Sequence, residues 1–384
     1  MATLSYVEQI RRELPATTAH IYLNTGTFGP LPTCVTQAMQ LRLQQEWQDG
    51  RIGPDSFKQL SEIYMTARAF VARLLHAKER EIALTNNTTD GINIAINGVN
   101  WHEGDEVITT NHEHMGVLAP LYQNRDRHGV IIRFADLGPK ADRPAVEAIR
   151  PLITSRTRMI VLSHITWTTG TRLDIHAVGQ LGRELGIPVL IDGAQSAGAI
   201  PLNMQELQVD FYAIPMQKWL CGPDGTGALY VCEQSLHYIT PTSVGYMSVK
   251  HEDGVDWMLA DGAQRFEFGG RQTAAVAGQA AVLKWLEESV HHNWMFERIS
   301  SLHTYAFQAL QHVPDLTLLT PEPGASGLIS FTLANRSDSD VVQALREKNI
   351  LIRNIPSTKA LRISTGFYNT EDEIDLLIKT LTTL

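Results

Sequence analysis

The chain has 384 residues, 43% of them hydrophobic, a length that predicts roughly two domains around a large buried core. Thirty-two basic against 41 acidic residues leave a net charge of −9, which argues against a broad nucleic-acid or anionic-membrane surface. Three scattered cysteines, Cys34, Cys221 and Cys232, exclude a disulfide framework or a zinc cluster and point to a reducing compartment.

Glu8, Arg11, Arg12 and Glu13 interrupt the apolar region that a signal peptide needs, and no later apolar run approaches ~18 residues, so a cytoplasmic protein with no membrane span is expected. After a short first helix, Ile21 to Asn24 reads as a strand running into the turn-rich Thr25 to Pro30, where glycines allow close backbone approach. Residues 55–76 place apolar side chains at helical spacing, which gives a core-packed amphipathic helix. Glu81 to Leu84 make a strand, residues 85–89 a turn of hydroxyl and amide side chains, and Asp90 onward a helix with Thr88 or Thr89 as its N-cap. Free N–H groups beside two hydroxyls are a ready anion site. Glu106 to Thr110 form another strand, ending in Asn111-His112-Glu113-His114. Its two histidines lack the H-E-x-x-H spacing and any Cys or Asp cluster, so no metal site is expected. Strands at Val130 to Phe134 and Arg158 to Leu162 alternate with helices near 144–153 and 175–186, the βαβ signature of a parallel, doubly wound sheet.

The stretch from Pro188 to Tyr230 carries most of the chemistry. The apolar run Val189 to Ile191 stops at Asp192, which should emerge at the carboxyl edge of a buried strand, where open α/β sheets bind ligands. Gln195 follows three residues later. A second run, Val209 to Ile214, ends just before Met216-Gln217-Lys218, and the turn Gly222 to Gly227 leads into a third, Ala228 to Val231. That turn reads G-x-x-G-x-G but runs into a strand, which counts against a dinucleotide fingerprint. Two strand ends thus present a carboxylate and an amine to one crevice, with a plain salt bridge as the bland alternative. Periodicity weakens over 238–276, and a long helical region from Ala274 to about His312 leads to a smaller C-terminal unit. Its strands are expected at Gly327 to Leu333, Ile350 to Arg353 and Leu361 to Ser364, and its last helix opens on the capping box Thr370-x-x-Glu373. Arg362 lies within the last strand, and its planar guanidinium suits bidentate capture of a carboxylate. Arg353, in Leu351-Ile352-Arg353-Asn354, is a weaker candidate for the same role and reads more as a structural residue.

The order D-x-x-Q, then about two dozen residues, then K-W-x-x-G-P-x-G-x-G, resembles the class V aminotransferase and cysteine desulfurase family of pyridoxal enzymes, and the match runs in motif order from about Tyr22 to the end. The resemblance implies an α/β, aspartate-aminotransferase-like fold (fold type I). It implies an N-terminal arm at 1–20, a large domain at 21–260 with a mostly parallel doubly wound sheet, and a connecting helix with a smaller α+β domain at 261–384. A homodimer with active sites at the subunit interface goes with this fold. Pyridoxal 5'-phosphate is the implied cofactor, held as an imine by Lys218 and with Asp192 keeping its pyridine nitrogen protonated. His114 would stack on the ring and move protons. Thr88, Thr89, Gln195, Gln217 and Gly270 would surround the cofactor, and Arg362, Asn24 and Gly26 an amino-acid substrate.

The chain also departs from the family pattern. Pro215 and Gln217 stand where Ser or Thr and His are usual, and Gly270 where a Thr reaches the neighbouring subunit's phosphate; Gln217 can still donate through its amide. His164 to Gly170, H-x-x-W-x-T-G, carries Trp167 where many desulfurases have Asn, and looks like the cyanobacterial cysteine/cystine C–S lyases. Persulfide-forming desulfurases need a nucleophilic cysteine on a loop matching Asn354 to Lys359, and this chain has none there. The expected reaction is therefore β-elimination from cysteine or cystine, giving pyruvate, ammonia and sulfide or persulfide. Transamination, epimerisation, persulfide-forming desulfuration and a catalytically inactive binding protein on the same fold stay open as alternatives.

Overall fold

A computed structural model describes residues 5–252 and 256–384. Helices α1 (Tyr6–Arg12) and α2 (Ala16–Ala19) precede strand β1 (Ile21–Tyr22), and α3 (Thr33–Asp49) and α4 (Pro54–Leu75) follow it. The main sheet then takes β2 (Ile82–Thr85), β3 (Glu106–Thr110), β4 (Ile131–Ala135), β5 (Thr157–Ser163), β6 (Val189–Asp192), β7 (Phe211–Pro215) and β8 (Gly227–Val231). Between these strands run α5 (Thr88–Gly98), α6 (Met115–His128), α7 (Ala145–Ile149), α8 (Ile175–Leu185) and α9 (Met204–Leu207).

The strand order is β2-β8-β7-β6-β5-β3-β4. From β4 to β7 all neighbours are parallel, whereas β8 is antiparallel to both β7 and β2. Apolar runs in the sequence follow from burial on both faces. In β6, Val189 and Ile191 join one core with Ile160, Leu162 and Tyr212, while Leu190 joins the opposite core with Val161, Phe211 and Ala213.

The N-cap of α5 differs from expectation. Asn87, not Thr88 or Thr89, caps it: the Asn87 side chain accepts from the Asp90 N–H at 2.9 Å, and both threonines are helical. Thr85 at the end of β2 donates its hydroxyl to the Asn87 carbonyl at 3.1 Å, which holds Asn87 extended and moves the helix start forward.

Beyond the main sheet, β9 (Val249–Glu252) and β10 (Trp257–Leu259) pair antiparallel. Helix α10 (Thr273–Trp285) packs on α3 and α4, and a π-helical turn at Leu286–Val290 separates it from α11 (His292–Leu310). The expected long helical region from Ala274 to about His312 is thus two helices joined by that turn. Next come β11 (Leu316–Leu318), β12 (Leu328–Leu333), α12 (Asp338–Glu347), β13 (Ile350–Leu351), β14 (Arg353–Ile355), β15 (Ala360–Ser364) and α13 (Glu371–Thr383). A four-stranded antiparallel sheet, β11-β12-β15-β14, buries Ile329, Phe331, Leu361 and Ile363 with Leu302, Ile374 and Leu377 of the helices. The expected strand from Ile350 to Arg353 breaks at Ile352, so that β13 pairs in parallel with β1 while β14 joins β15.

The capping box of α13 is formed as read. Thr370 accepts from the Glu373 N–H at 3.3 Å, and the Glu373 carboxylate accepts from the Thr370 N–H at 3.2 Å. Thr370→Ala should lower stability by about 1 kcal/mol in urea unfolding with little change in activity, because no residue of this helix lines the cavity described next. No helix among the described residues is long and apolar enough to cross a membrane.

Candidate active site

A cavity of about 590 Å³ lies at the carboxyl ends of the central strands. Gly26, Thr88, Thr89, His114, Asp192, Gln195, Gln217, Lys218 and Arg362 all line it, although they come from six separate segments of sequence read only for local signals. Asn24 and Gly270 do not line it.

Asp192 ends β6 and is buried, its Oδ1 accepting from the Ala194 N–H at 2.8 Å. Burial pushes its pKa up, against the pull of Lys218 and His114. Lys218 sits in the loop that joins antiparallel β7 and β8. That loop is tight: the Met216 N–H donates to Thr226 O at 3.1 Å and the Gly222 N–H to Met216 O at 2.7 Å. Gly29 presses on it, donating to Gln217 O at 2.8 Å, and a Cβ at Gly29 would lie 2.2 Å from Lys218 O. Lys218 Nζ has no hydrogen-bond or ion-pair partner among the described residues, so the bare salt bridge with Asp192 is not what the fold builds. Burial lowers the amine pKa to about 8, with Arg362 and Arg353 adding to the fall and Asp192 opposing it.

The start of α5 forms one wall. Because the Asn87 side chain serves Asp90, the N–H groups of Thr88 and Thr89 stay unpaired among the described residues, beside a buried Thr88 and an exposed Thr89 hydroxyl. Gln217 Oε1, Trp167 Nε1 and Arg362 Nε are each buried without a partner, and all three residues line the cavity.

His114 caps α6, its Nδ1 accepting from the Gly116 N–H at 3.0 Å, so the neutral ring carries its proton on Nε2. It meets Trp167 edge to face at 5.2 Å between ring centres. The protein packed around the ring, then Lys218, holds the imidazole pKa below its ordinary value. Arg362 is buried and donates from Nη1 to Trp167 O at 3.0 Å and from Nη2 to the Thr27 hydroxyl at 3.3 Å. Its pKa falls to about 9 through burial and then Arg353. Arg353, read from sequence as structural, lines the same cavity and reaches the same Thr27 hydroxyl at 3.4 Å. The two arginines are register partners across β14 and β15.

Gly26 gives its carbonyl to Gln195 Nε2 at 2.9 Å, and Gln195 Oε1 accepts from Trp219 Nε1 at 2.9 Å. A Cβ at Gly26 would meet the Leu328 side chain at 2.8 Å and the Ser364 hydroxyl at 2.9 Å, so a larger residue would have to push these side chains aside. Asn24 stands behind Thr27, accepting its hydroxyl at 2.7 Å, and therefore supports the wall without touching the cavity. Gly270 is exposed, its N–H donating to the Tyr246 hydroxyl at 2.7 Å. His112 is spent on Thr168 at 2.8 Å and Gly138 O at 2.6 Å. Two residues of this neighbourhood escaped the sequence reading: Ser163, on the cavity wall, and the buried Glu113 behind it. Burial pushes the Glu113 carboxyl to about 7, against hydrogen bonds from Ser163 and Thr110. The three cysteines are free and none lines the cavity; burial raises the Cys34 thiol to about 11 and lifts that of Cys221 as well.

Known proteins resemble the chain over most of its length. A probable cysteine desulfurase of Methanothermobacter thermautotrophicus is 28% identical over 396 residues, covering 97% of each chain. A cysteine desulfurase of Escherichia coli is 31% identical over 317 residues, 78% of this chain and 76% of that one. Among solved structures, a complex of the cystine C–S lyase C-DES with its reaction product cysteine persulfide superposes with a TM-score of 0.92 at 28% identity, covering 96% of this chain and 99% of the other. A C-DES variant with glycine covalently linked to its PLP cofactor matches equally, at 0.92 and 28%, over 97% and 98% of the two chains. The fold is therefore that of fold type I pyridoxal enzymes. With the family profile for class-V aminotransferases matching residues 21–377, the chain that gathers Asp192, Lys218 and Arg362 into one cavity belongs to the class-V aminotransferase family.

Proposed function

We propose that this protein is a pyridoxal-phosphate-dependent C–S lyase that acts on cystine or cysteine. The single observation behind this reading is one cavity holding an unpartnered amine at Lys218, a buried carboxylate at Asp192 and two guanidiniums that share Thr27. The residues fit the cofactor. The open N–H groups at the start of α5, the Thr88 and Thr89 hydroxyls and the Gln217 amide NH2 suit a phosphate, and leaving the buried cavity-wall donors Trp167 Nε1 and Arg362 Nε unserved by any ligand would cost about 1–3 kcal/mol each. Pro215 and Gly270 supply no side-chain donor, so that cup rests on backbone and amide. Bound there, pyridoxal phosphate supplies an electron sink for negative charge at the substrate α-carbon.

Every other part of the reaction falls to this chain. Arg362 grips the substrate carboxylate, and Arg353 gives a second positive site that suits the distant carboxylate of cystine. Lys218 Nζ takes the α-proton, the β-carbon to sulfur bond breaks with its electron pair leaving on sulfur, and His114 Nε2 can pass a proton to the departing atom. Asp192 would be the residue that keeps the cofactor's ring nitrogen protonated. Cystine and water thus give pyruvate, ammonia and cysteine persulfide. We further propose a cytoplasmic homodimer, supported by the exposed Tyr246 and Phe268 that flank Gly270 as an apolar rim.

Elimination needs no enzyme thiol, and no cysteine reaches the cavity. Replacing Cys34, Cys221 and Cys232 together by alanine or serine should leave pyruvate release from cystine or cysteine within about threefold of the parent. Mass spectrometry of the products decides the matter. Loss of activity in Cys221→Ser alone, with melting temperature and visible spectrum unchanged, would favour a persulfide-forming enzyme, and transfer of the amino group to a keto acid without pyruvate would favour an aminotransferase.

A further inference from the structure

Among the described residues Glu113 is one of the few buried carboxylates that meets no cation, and it lies one residue before His114. Its Oε1 accepts from the Thr110 hydroxyl at 2.5 Å and from the Ser163 N–H at 3.2 Å, and its Oε2 accepts from the Ser163 hydroxyl at 2.6 Å. Thr110 is the last residue of β3; Ser163 is the last of β5, lines the cavity, and is the register partner of Asp192. The carboxylate therefore ties the turn that carries His114 to the strand end beside Asp192. On its other side the turn is pinned by His112, whose two ring nitrogens are both engaged.

We propose that Glu113 is a positioning residue for His114, stapling the β3–α6 turn to Ser163 so that the imidazole is held at a fixed height over the floor set by Asp192. This rests on the reading of the cavity as a lyase site. A buried acid could equally stabilise the fold alone, but its hydrogen bonds run to the two strand ends that frame the site, and a turn loosened there displaces the ring by the length of its own slack. Misplacement of a catalytic group by about 1 Å costs up to roughly 100-fold in rate.

The geometry separates two substitutions. Glu113→Gln keeps Oε1 for Thr110 and the Ser163 N–H, and its amide can donate to the Ser163 hydroxyl, so all three contacts survive without the charge. Glu113→Ala loses all three. The readouts are steady-state kinetics with cystine, the melting temperature, and the ring resonances of His114 in the cofactor-free, histidine-labelled protein, assigned by comparison with His114→Asn. We expect Glu113→Ala to shift or broaden the His114 resonances and to lower kcat roughly 10- to 100-fold with KM within about threefold, while Glu113→Gln stays within about threefold of the parent on both. Unchanged His114 resonances in Glu113→Ala would overturn the proposal whatever the activity, as would equal losses in the two variants. Should Glu113→Ala fail to fold, Ser163→Ala, which removes the 2.6 Å hydroxyl bond to Glu113 and leaves the Ser163 N–H in place, decides by the same resonances. If the parent protein shows no lyase turnover, the functional reading fails, and the resonances still decide the staple.

Discussion

Lys218→Ala is expected to abolish turnover, a fall on the order of 10³-fold or more, and to erase the borohydride-sensitive absorbance near roughly 410–430 nm that marks pyridoxal held by a lysine. The fold should be untouched: Nζ makes no hydrogen bond, so its removal strands no buried partner, and the melting temperature should stay within about 2 °C. Full activity in this variant would refute the assignment. The parent protein adds a pH test. With the amine pKa lowered to about 8, the nitrogen is charged and inert well below that value and free above it. Capture of added pyridoxal phosphate by cofactor-free protein should therefore accelerate as pH rises through about 8 and then level off. A rate that falls over that range would place the reacting amine elsewhere.

Asp192→Asn should keep the cofactor and lose most of the rate. Asparagine retains an oxygen for the Ala194 N–H, so the turn after β6 keeps its bond, but a neutral amide would not sustain the positive charge that the bound cofactor's ring nitrogen would need. A loss on the order of 100-fold is expected from removing one such preorganised charge. Because Asp192 is the group that holds the Lys218 pKa up, the midpoint for cofactor capture should also move to lower pH. Wild-type turnover in this variant would make Asp192 structural only.

The parts of this site that are legible in the sequence are those decided within a few residues. An apolar run that stops at Asp192 names a strand end, and Thr370 with Glu373 names a helix start, because both signals are local. Three other features depend on distant partners. The N-cap of α5 fell to Asn87 because Thr85, anchored in a strand pair with Gly227, holds Asn87 extended. Arg353 looked structural until the register of β14 against β15 set it beside Arg362, and register is not written in either strand alone. The direction of β8 was equally hidden, since alternation of apolar faces is the same for a strand read up or down. Glu113 drew no notice next to two histidines because its partner Ser163 lies 50 residues away.

The run from Ile21 to Gly29 works as a ruler. It begins in a strand pair with Ile350 and Leu351, gives the Leu23 carbonyl to the Ser364 N–H at 2.8 Å, takes Gln195 on Gly26 O at 2.9 Å, and ends with the Gly29 N–H on Gln217 O at 2.8 Å. Each bond contributes about 0.5–1.5 kcal/mol, so a swing of the four-stranded sheet away from the lysine loop would forfeit several at once. Thr27, which touches both arginines, rides on this same run. The span from the amine of Lys218 to the guanidiniums is thus set by nine residues of anchored backbone and has little freedom to stretch. If the cavity takes an amino acid as proposed, a span with so little give should discriminate by length, and a β-amino acid, longer by one methylene, should be turned over far more slowly than its α-isomer.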